Sequence, residues 1–200
     1  NDSRNALYSK LGRIRSTMEQ VSLPATSAWL AQELDNDPLL QTDHELRLFC
    51  LIVKGDIDGE LTAGPMRRDW ELVRDLAQKL HNERWVNRAG GELGFAHFLE
   101  GDLTTARQMV GAALLKAMMT NDVGGQIRYL AAVGTGLVLM GAAQDSLSYF
   151  DNALAAAEAH PEVGYQFLIH EGRLLASKQL GHWKEARDIA DEMLAQARAK

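Results

Sequence analysis

The chain is short of most features that mark disulfide-bonded, membrane-spanning or nucleic-acid-binding proteins. It has one cysteine in 200 residues, so no internal disulfide forms. Cys50 sits in the run Leu48-Phe49-Cys50-Leu51-Ile52, where a thiol packs as a small, inert apolar group. Only four prolines are present, and β-branched runs are scarce. That composition favours helix. No apolar run reaches the roughly 18–20 residues a membrane-spanning helix needs. No cationic half exists either. Lys and Arg number 12 against 16 Asp and Glu in residues 1–100, and 9 against 11 in 101–200, for a net charge of −6. Nucleic acid requires a concentrated cationic face, so it is not an expected partner. Residues Asn1 to Lys10 are polar and charged, unlike a secretory leader. The first residue is Asn rather than Met, which fits a piece of a longer protein. The expected setting is cytoplasmic, with the periplasm left open, and no membrane insertion is expected.

What the chain does have is a forty-residue echo. Gly101, Gly141 and Gly181 are equally spaced, and each closes an apolar run. Five residues after each stands Ala106, Ser146 or Ala186, and twelve after stands Ala113, Ala153 or Met193. A fixed period of this size marks stacked helix–turn–helix units. Five hairpins would fill the length, with helices expected at 4–20, 26–36, 43–54, 69–84, 86–100, 103–119, 124–140, 144–159, 163–180 and 183–198. Pro24, Asp37-Pro38, Asn121-Asp122 and His160-Pro161 supply breaks between them. The segment 69–84 matches the last helix when Trp70, Val73, Leu76, Ala77 and Leu80 are laid on Trp183, Ala186, Ile189, Ala190 and Met193. The stretch Gly55 to Arg68 reads as one long loop, the main irregularity of the array. Glycines inside the expected helices, such as Gly94 and Gly134, let neighbouring backbones approach, at a cost of about 0.5–1 kcal/mol each relative to Ala.

Catalytic patterns are not apparent. Gly90-Gly91-Glu92-Leu93-Gly94 has no preceding strand and no Gly-Lys-Ser/Thr, so helix packing explains it better than a phosphate loop. Asp56-Ile57-Asp58-Gly59-Glu60 begins like a calcium loop but lacks the distal bidentate Glu. The six histidines show no close pair at ligand spacing, and no serine stands on a nucleophile turn. Asp188, Asp191 and Glu192 read as the solvated stripe of an amphipathic helix. No catalytic residue, metal site or cofactor is therefore expected.

The residues that carry the echo resemble the tetratricopeptide repeat family. Leu93-Gly94, Gly101, Ala106, Val110 and Ala113 match its small positions, as do Gly134, Gly141, Ser146, Phe150 and Ala153. The last block keeps Gly181 and Ala186 but places Leu174 where the first Gly belongs. His97, Leu137 and Ser177 replace the family's first aromatic, the closing proline is missing, and the period is 40 rather than about 34. The resemblance implies an all-α right-handed superhelix of antiparallel hairpins whose first helices line a concave groove for a protein or peptide. Carried over block by block, the groove candidates are Arg88, Glu92, Phe95, Phe98 and Leu99, then Arg128, Thr135, Val138 and Leu139, then Leu168, Glu171, Leu175 and Lys178. Arg88 and Arg128 hold the same position in successive blocks, which suits a short cationic ladder. The Lys/Asn set with which some members clamp a C-terminal carboxylate is replaced here by Gly91, Phe95, Ala131 and Thr135. The leading expectation is a non-enzymatic interaction scaffold. The alternatives are a sensory or regulatory input domain of a signalling protein, and an all-helical enzyme. A homodimer is a further possibility, because repeat arrays have open ends.

Overall fold

The computed structural model describes residues 2–161 and 166–199. Its regular structure is helical, with no strand among the described residues. The chain opens with α1 (Asp2–Ser16), a 3₁₀ turn (Met18–Gln20), α2 (Leu23–Asn36), the short α3 (Pro38–Thr42) and α4 (His44–Gly59). Pro24 falls in the first turn of α2, where its missing N–H costs nothing. Asp37 and Asp43 cap α3 and α4 by accepting from the backbone N–H of Leu39 and Leu46.

From α5 onward the chain keeps a 20-residue clock. α5 (Ala63–Lys79), α6 (Glu83–Leu99), α7 (Leu103–Met119), α8 (Val123–Leu139) and α9 (Ala143–Ala159) have 17 residues each, and so does α11 (Trp183–Ala199). α10 is described over Gln166–Gln179; residues 163–165 of its expected span lie outside the described residues. Three-residue turns join α5 to α6, α6 to α7, α7 to α8, α8 to α9 and α10 to α11, so the helices of these pairs run antiparallel. The forty-residue echo is two steps of this clock.

The turns explain the period. Gly101, Gly141 and Gly181 have φ of +86°, +83° and +75°. Twenty residues before Gly101, His81 adopts the same left-handed conformation at φ of +53°, and so does Asn121, midway between Gly101 and Gly141, at +52°. At each turn the next N–H reaches five residues back. Asn82 donates to the carbonyl of Ala77, Asp102 to His97, Asp122 to Ala117, Ala142 to Leu137 and His182 to Ser177, all at 2.9 Å. This is the Schellman cap, which satisfies the last carbonyls of a helix. Asn82 and Asp102 also cap the following helix, accepting from the N–H of Trp85 and Thr105. One turn thus ends a helix and starts another.

The buried stripe of α5, α7 and α9 follows a 4-3-4 spacing. Met66, Trp70, Val73 and Ala77 are buried on α5, and Ala106, Val110, Ala113 and Ala117 on α7. Ser146, Phe150, Ala153 and Ala157 follow on α9. This spacing keeps one face of a 3.6-residue helix inward. The helices pack in sequence as stacked hairpins: α4 on α5, α5 on α6, α8 on α9, α9 on α10 and α10 on α11. The result is the all-α helical repeat that the spacing predicts. By compactness the chain divides into two units, residues 1–106 and 107–200. In the first, α1, α2 and α3 pack on α4. In the second, Ile127, Ala131, Val138, Phe150, Ala153, Ile169 and Ala176 form a common core. No helix among the described residues is long and apolar enough to cross a membrane.

Two expectations are corrected. The long loop over 55–68 does not exist: α4 runs to Gly59, α5 begins at Ala63, and residues 60–62 are an ordinary turn. One of its glycines has a packing role. A Cβ on Gly55 would stand 3.0 Å from the Trp70 ring, and Pro65 lies in the first turn of α5, where no intrahelical N–H is needed. The alignment of Trp70 with Trp183 is also out by one heptad. By helix start, Trp70 corresponds to Ala190 and Trp183 to Ala63. A 3-4 spacing repeats after seven residues, so such a slip preserves the apolar pattern. Burial distinguishes the two: Trp70 is fully buried, whereas Trp183 is 67% exposed.

Candidate functional site

In the first unit, the expected groove residues of α6 are mostly engaged inside the protein. The Arg88 guanidinium lies 3.5 Å from Asp56 on α4 and, through Nε, 2.8 Å from Glu92 one turn along. The other Asp56 oxygen is 2.8 Å from Arg15 Nε on α1. Asp56 therefore ties three helices together. Glu92 is 2% exposed. Arg88 also stands 5.8 Å from the Trp70 ring centroid, and Arg15 5.5 Å from that of Trp85, within reach of cation–π attraction. Phe95 is half-buried and stacks on Phe98, with centroids 6.2 Å apart. Leu99 is exposed.

A second buried ionic cluster lies between α4 and α5. Lys54 Nζ is 2.5 Å from Asp58 and 2.9 Å from Asp69. Burial, then the hydrogen bond with Asp58, pushes the Asp69 carboxyl up to about 7. Burial also works against the Asp58 charge, but hydrogen bonds from Asp69, Lys54 and Ser27 outweigh it and hold Asp58 below the usual carboxylate range. Two carboxyls thus share one ammonium and one proton. Asp56 and Asp58, which opened like a calcium loop, are spent on structural ion pairs. Nearby Cys50 is buried, and burial pushes its thiol up to about 12, which leaves it protonated and unreactive.

In the second unit, the first helices α8 and α10 lie side by side. Gln179 Nε2 donates to the Val138 carbonyl at 2.9 Å. A Cβ on Gly172 of α10 would stand 3.0 Å from Thr135 Oγ1 of α8. Thr135 and Arg128 are half-buried. Leu139 is 58% exposed, beside the exposed Met140. Glu171 and Lys178 are exposed seven residues apart on one face of α10, with Leu175 half-buried between them. Here Leu139, Glu171 and Lys178 keep their side chains exposed, whereas Val138, expected in the groove, is fully buried in the core.

Sequence reasoning missed a cavity of about 280 Å³ formed by α9, α10 and α11. Leu154 and Ile189 give it an apolar base; Glu158, Glu185, Asp188 and Glu192 line it with His170 and Arg173. Arg173 is drawn to Glu185 at 3.3 Å and Asp151 at 3.8 Å. His170 Nε2 lies 3.8 Å from Glu192, while its buried Nδ1 has no hydrogen-bond partner. Glu185 and Asp188 also border a shallower hollow of about 580 Å³, walled by His182, Trp183 and Lys184. One sequence signal was present, a tryptophan at a helix start followed by acids at 185 and 188. The contribution from α9 is invisible in sequence. Among the described residues, no group of three His, Cys, Asp or Glu side chains is placed to hold a metal ion.

No protein-family model matches the chain, and no match is found among curated proteins.

Proposed function

We propose that the chain is a tetratricopeptide-like interaction module whose first-helix face docks a protein or peptide, and that it is not an enzyme. The observation that supports this reading most is the α8–α10 face. Two first helices are locked together by Gln179 and Val138, and above that contact Leu139, Glu171 and Lys178 remain exposed. An apolar contact flanked by charges of both signs suits a peptide-docking surface. In the first unit, by contrast, Arg88 and Glu92 hold the stack together through internal ion pairs.

A peptide array probed with the purified chain tests the proposal. The wild type is expected to select a limited set of sequences. Leu139→Asp with Lys178→Glu, both exposed positions, is expected to weaken those by at least about tenfold without altering the melting temperature. Equal binding by wild type and double variant counts against it.

A further inference from the structure

The outward face of α7 is a surface that the α8–α10 docking reading does not use. We propose that it is a second docking surface, and that its occupant is an amphipathic helix of a partner protein, apolar along one side and acidic along its edges.

Exposed apolar side chains are the first observation. α7 buries Ala106, Val110, Ala113 and Ala117. On its opposite side Leu115 and Met118 are 60% exposed and Met119 is 75% exposed. Gly111 and Ala112 stand exposed one turn before them. The whole face belongs to the second unit. The sister helices α5, α9 and α11 show what these positions ordinarily hold. Counted from the helix start, the place of Gly111 is taken by Glu71, Asp151 and Asp191. The place of Met118 is taken by Gln78, Glu158 and Arg198. Three helices of the period thus meet water with polar groups, while α7 meets it with a leucine and two thioethers. A contiguous exposed apolar patch marks an interaction surface, and methionine adapts to a partner's shape.

Charge selects the occupant. The chain carries a net charge of −6, yet α7 has no acidic residue. Its charged residues are Arg107 and Lys116, on opposite edges of the face, about 80° and 100° round the helix from Leu115. Arg107 is exposed and has no ion-pair partner among the described residues. An apolar strip edged by cations complements an apolar strip edged by carboxylates. A second copy of the chain is a poor match. A twofold axis would set this face on itself, with no carboxylate of α7 to meet its cations. An anionic membrane is a poor match too, because a flat surface meets the net negative charge of the chain, whereas one helix meets α7 alone.

The shape of the face agrees. A Cβ on Gly111 would meet nothing within 4 Å, and its φ is not left-handed. No contact or turn inside the chain calls for glycine there, and glycine weakens a helix interior. The open notch lets a crossing helix approach the α7 backbone closely.

Fluorescence anisotropy with the full chain at physiological salt tests the inference. The probe is a fluorescein-labelled peptide of three Glu-Ala-Leu-Glu-Glu-Leu-Leu repeats, with a lysine-for-glutamate counterpart. The acidic peptide is expected to bind at least about tenfold more tightly, against the order that net charge alone would give. Leu115→Ser with Met119→Ser is expected to weaken it about tenfold, and Arg107→Glu about fivefold. Gly111→Gln should weaken it about fivefold while the melting temperature holds or rises, which separates docking from a structural role. Arg187→Glu, at the matching exposed position of α11, should stay within about twofold. No binding by the acidic peptide up to about 1 mM, a lysine peptide bound as tightly, or equal loss in Arg187→Glu would overturn the inference. So would phosphatidylserine vesicles held by the wild type and released by Leu115→Ser with Met119→Ser, or a dimer in light scattering that the same variant dissolves. The occupant would then be a membrane or a second copy. Leu139→Asp with Lys178→Glu should leave the acidic peptide bound. Loss in that variant alone would assign the peptide to the α8–α10 face and sink this inference while the docking function stands. Acidic-peptide binding lost only in the α7 variants, with array peptides indifferent to Leu139→Asp with Lys178→Glu, would support the α7 face and overturn the first-helix face.

Discussion

A β-carbon added to Gly134 would lie 2.7 Å from Cε1 of Phe150. Phe150 is fully buried, and Gly172 of α10 presses on the same ring edge. Two glycines on neighbouring first helices therefore seat one aromatic ring of the second helix between them. Gly134→Ala and Gly172→Ala are each expected to lose about 1–3 kcal/mol by overpacking, read from urea midpoints. Phe150→Leu in the Gly134→Ala background should recover part of that loss. A stabilised Gly134→Ala, as helix propensity alone would give, would contradict the close contact.

Arg88 is a stability residue in this structure. Arg88→Met removes the cation 2.8 Å from the buried Glu92 and 3.5 Å from Asp56. Breaking a buried pair on one side costs about 3–5 kcal/mol. Replacing both partners, Arg88→Met with Glu92→Leu, should restore most of it. Chemical denaturation of the single and double variants measures the difference, and additive losses would argue against the pairing.

The Lys54–Asp58–Asp69 cluster gives a signed pH dependence. Asp69 is raised toward 7 by burial and by Asp58, so between about pH 4 and 7 the folded chain holds a proton that the unfolded chain releases. Its contribution is full below the unfolded carboxylate range and fades as pH climbs through 7. Asp58 shifts the opposite way; its contribution is present above the unfolded range and is lost only in acid. Between pH 5 and 8 Asp69 is the member of this cluster that titrates, and its effect lowers the melting temperature as pH rises. Asp69→Asn mimics the protonated carboxyl and should flatten that slope. A slope unchanged in the variant would place its origin elsewhere.

The left-handed turn positions differ in strain. His81→Gly should stabilise by about 1 kcal/mol, because glycine adopts φ near +53° without the clash a β-carbon meets. Asn121→Gly should be close to neutral, since asparagine tolerates that region. Gly141→Ala, at φ of +83°, should lose about 1–2 kcal/mol. Thermal melts of the three variants rank these costs directly.

The sequence made the helices, their antiparallel pairing and the forty-residue spacing legible, because Gly101, Gly141 and Gly181 are unambiguous turn residues. It hid the twenty-residue step, because His81 and Asn121 perform the same backbone task without being glycine. It misread 55–68, because Gly55, Gly59, Gly64 and Pro65 look like a loop in one dimension. In three dimensions, one serves the Trp70 ring and another sits where a helix start tolerates proline. Burial separated the candidate contacts in a way spacing does not. Arg88 is buried and committed to Asp56 and Glu92, whereas Leu139 and Lys178, read from the same period, are exposed. The acidic cavity was beyond reach for a different reason. Its carboxylates come from residues up to 34 positions apart on two helices, and nothing local links Glu158 to Glu192.

The recurring three-residue cap has a bearing on how such a chain can change length. The junctions at 80–82, 100–102, 120–122, 140–142 and 180–182 each close one element and open another in the same phase. Excision or duplication of a forty-residue block bounded by these junctions keeps every later helix facing inward on its proper side. A lone residue inserted inside a helix instead rotates all that follows in that element by about 100°, turning its apolar stripe toward water. Growth and loss by whole hairpins is thus the route by which this architecture varies without unravelling.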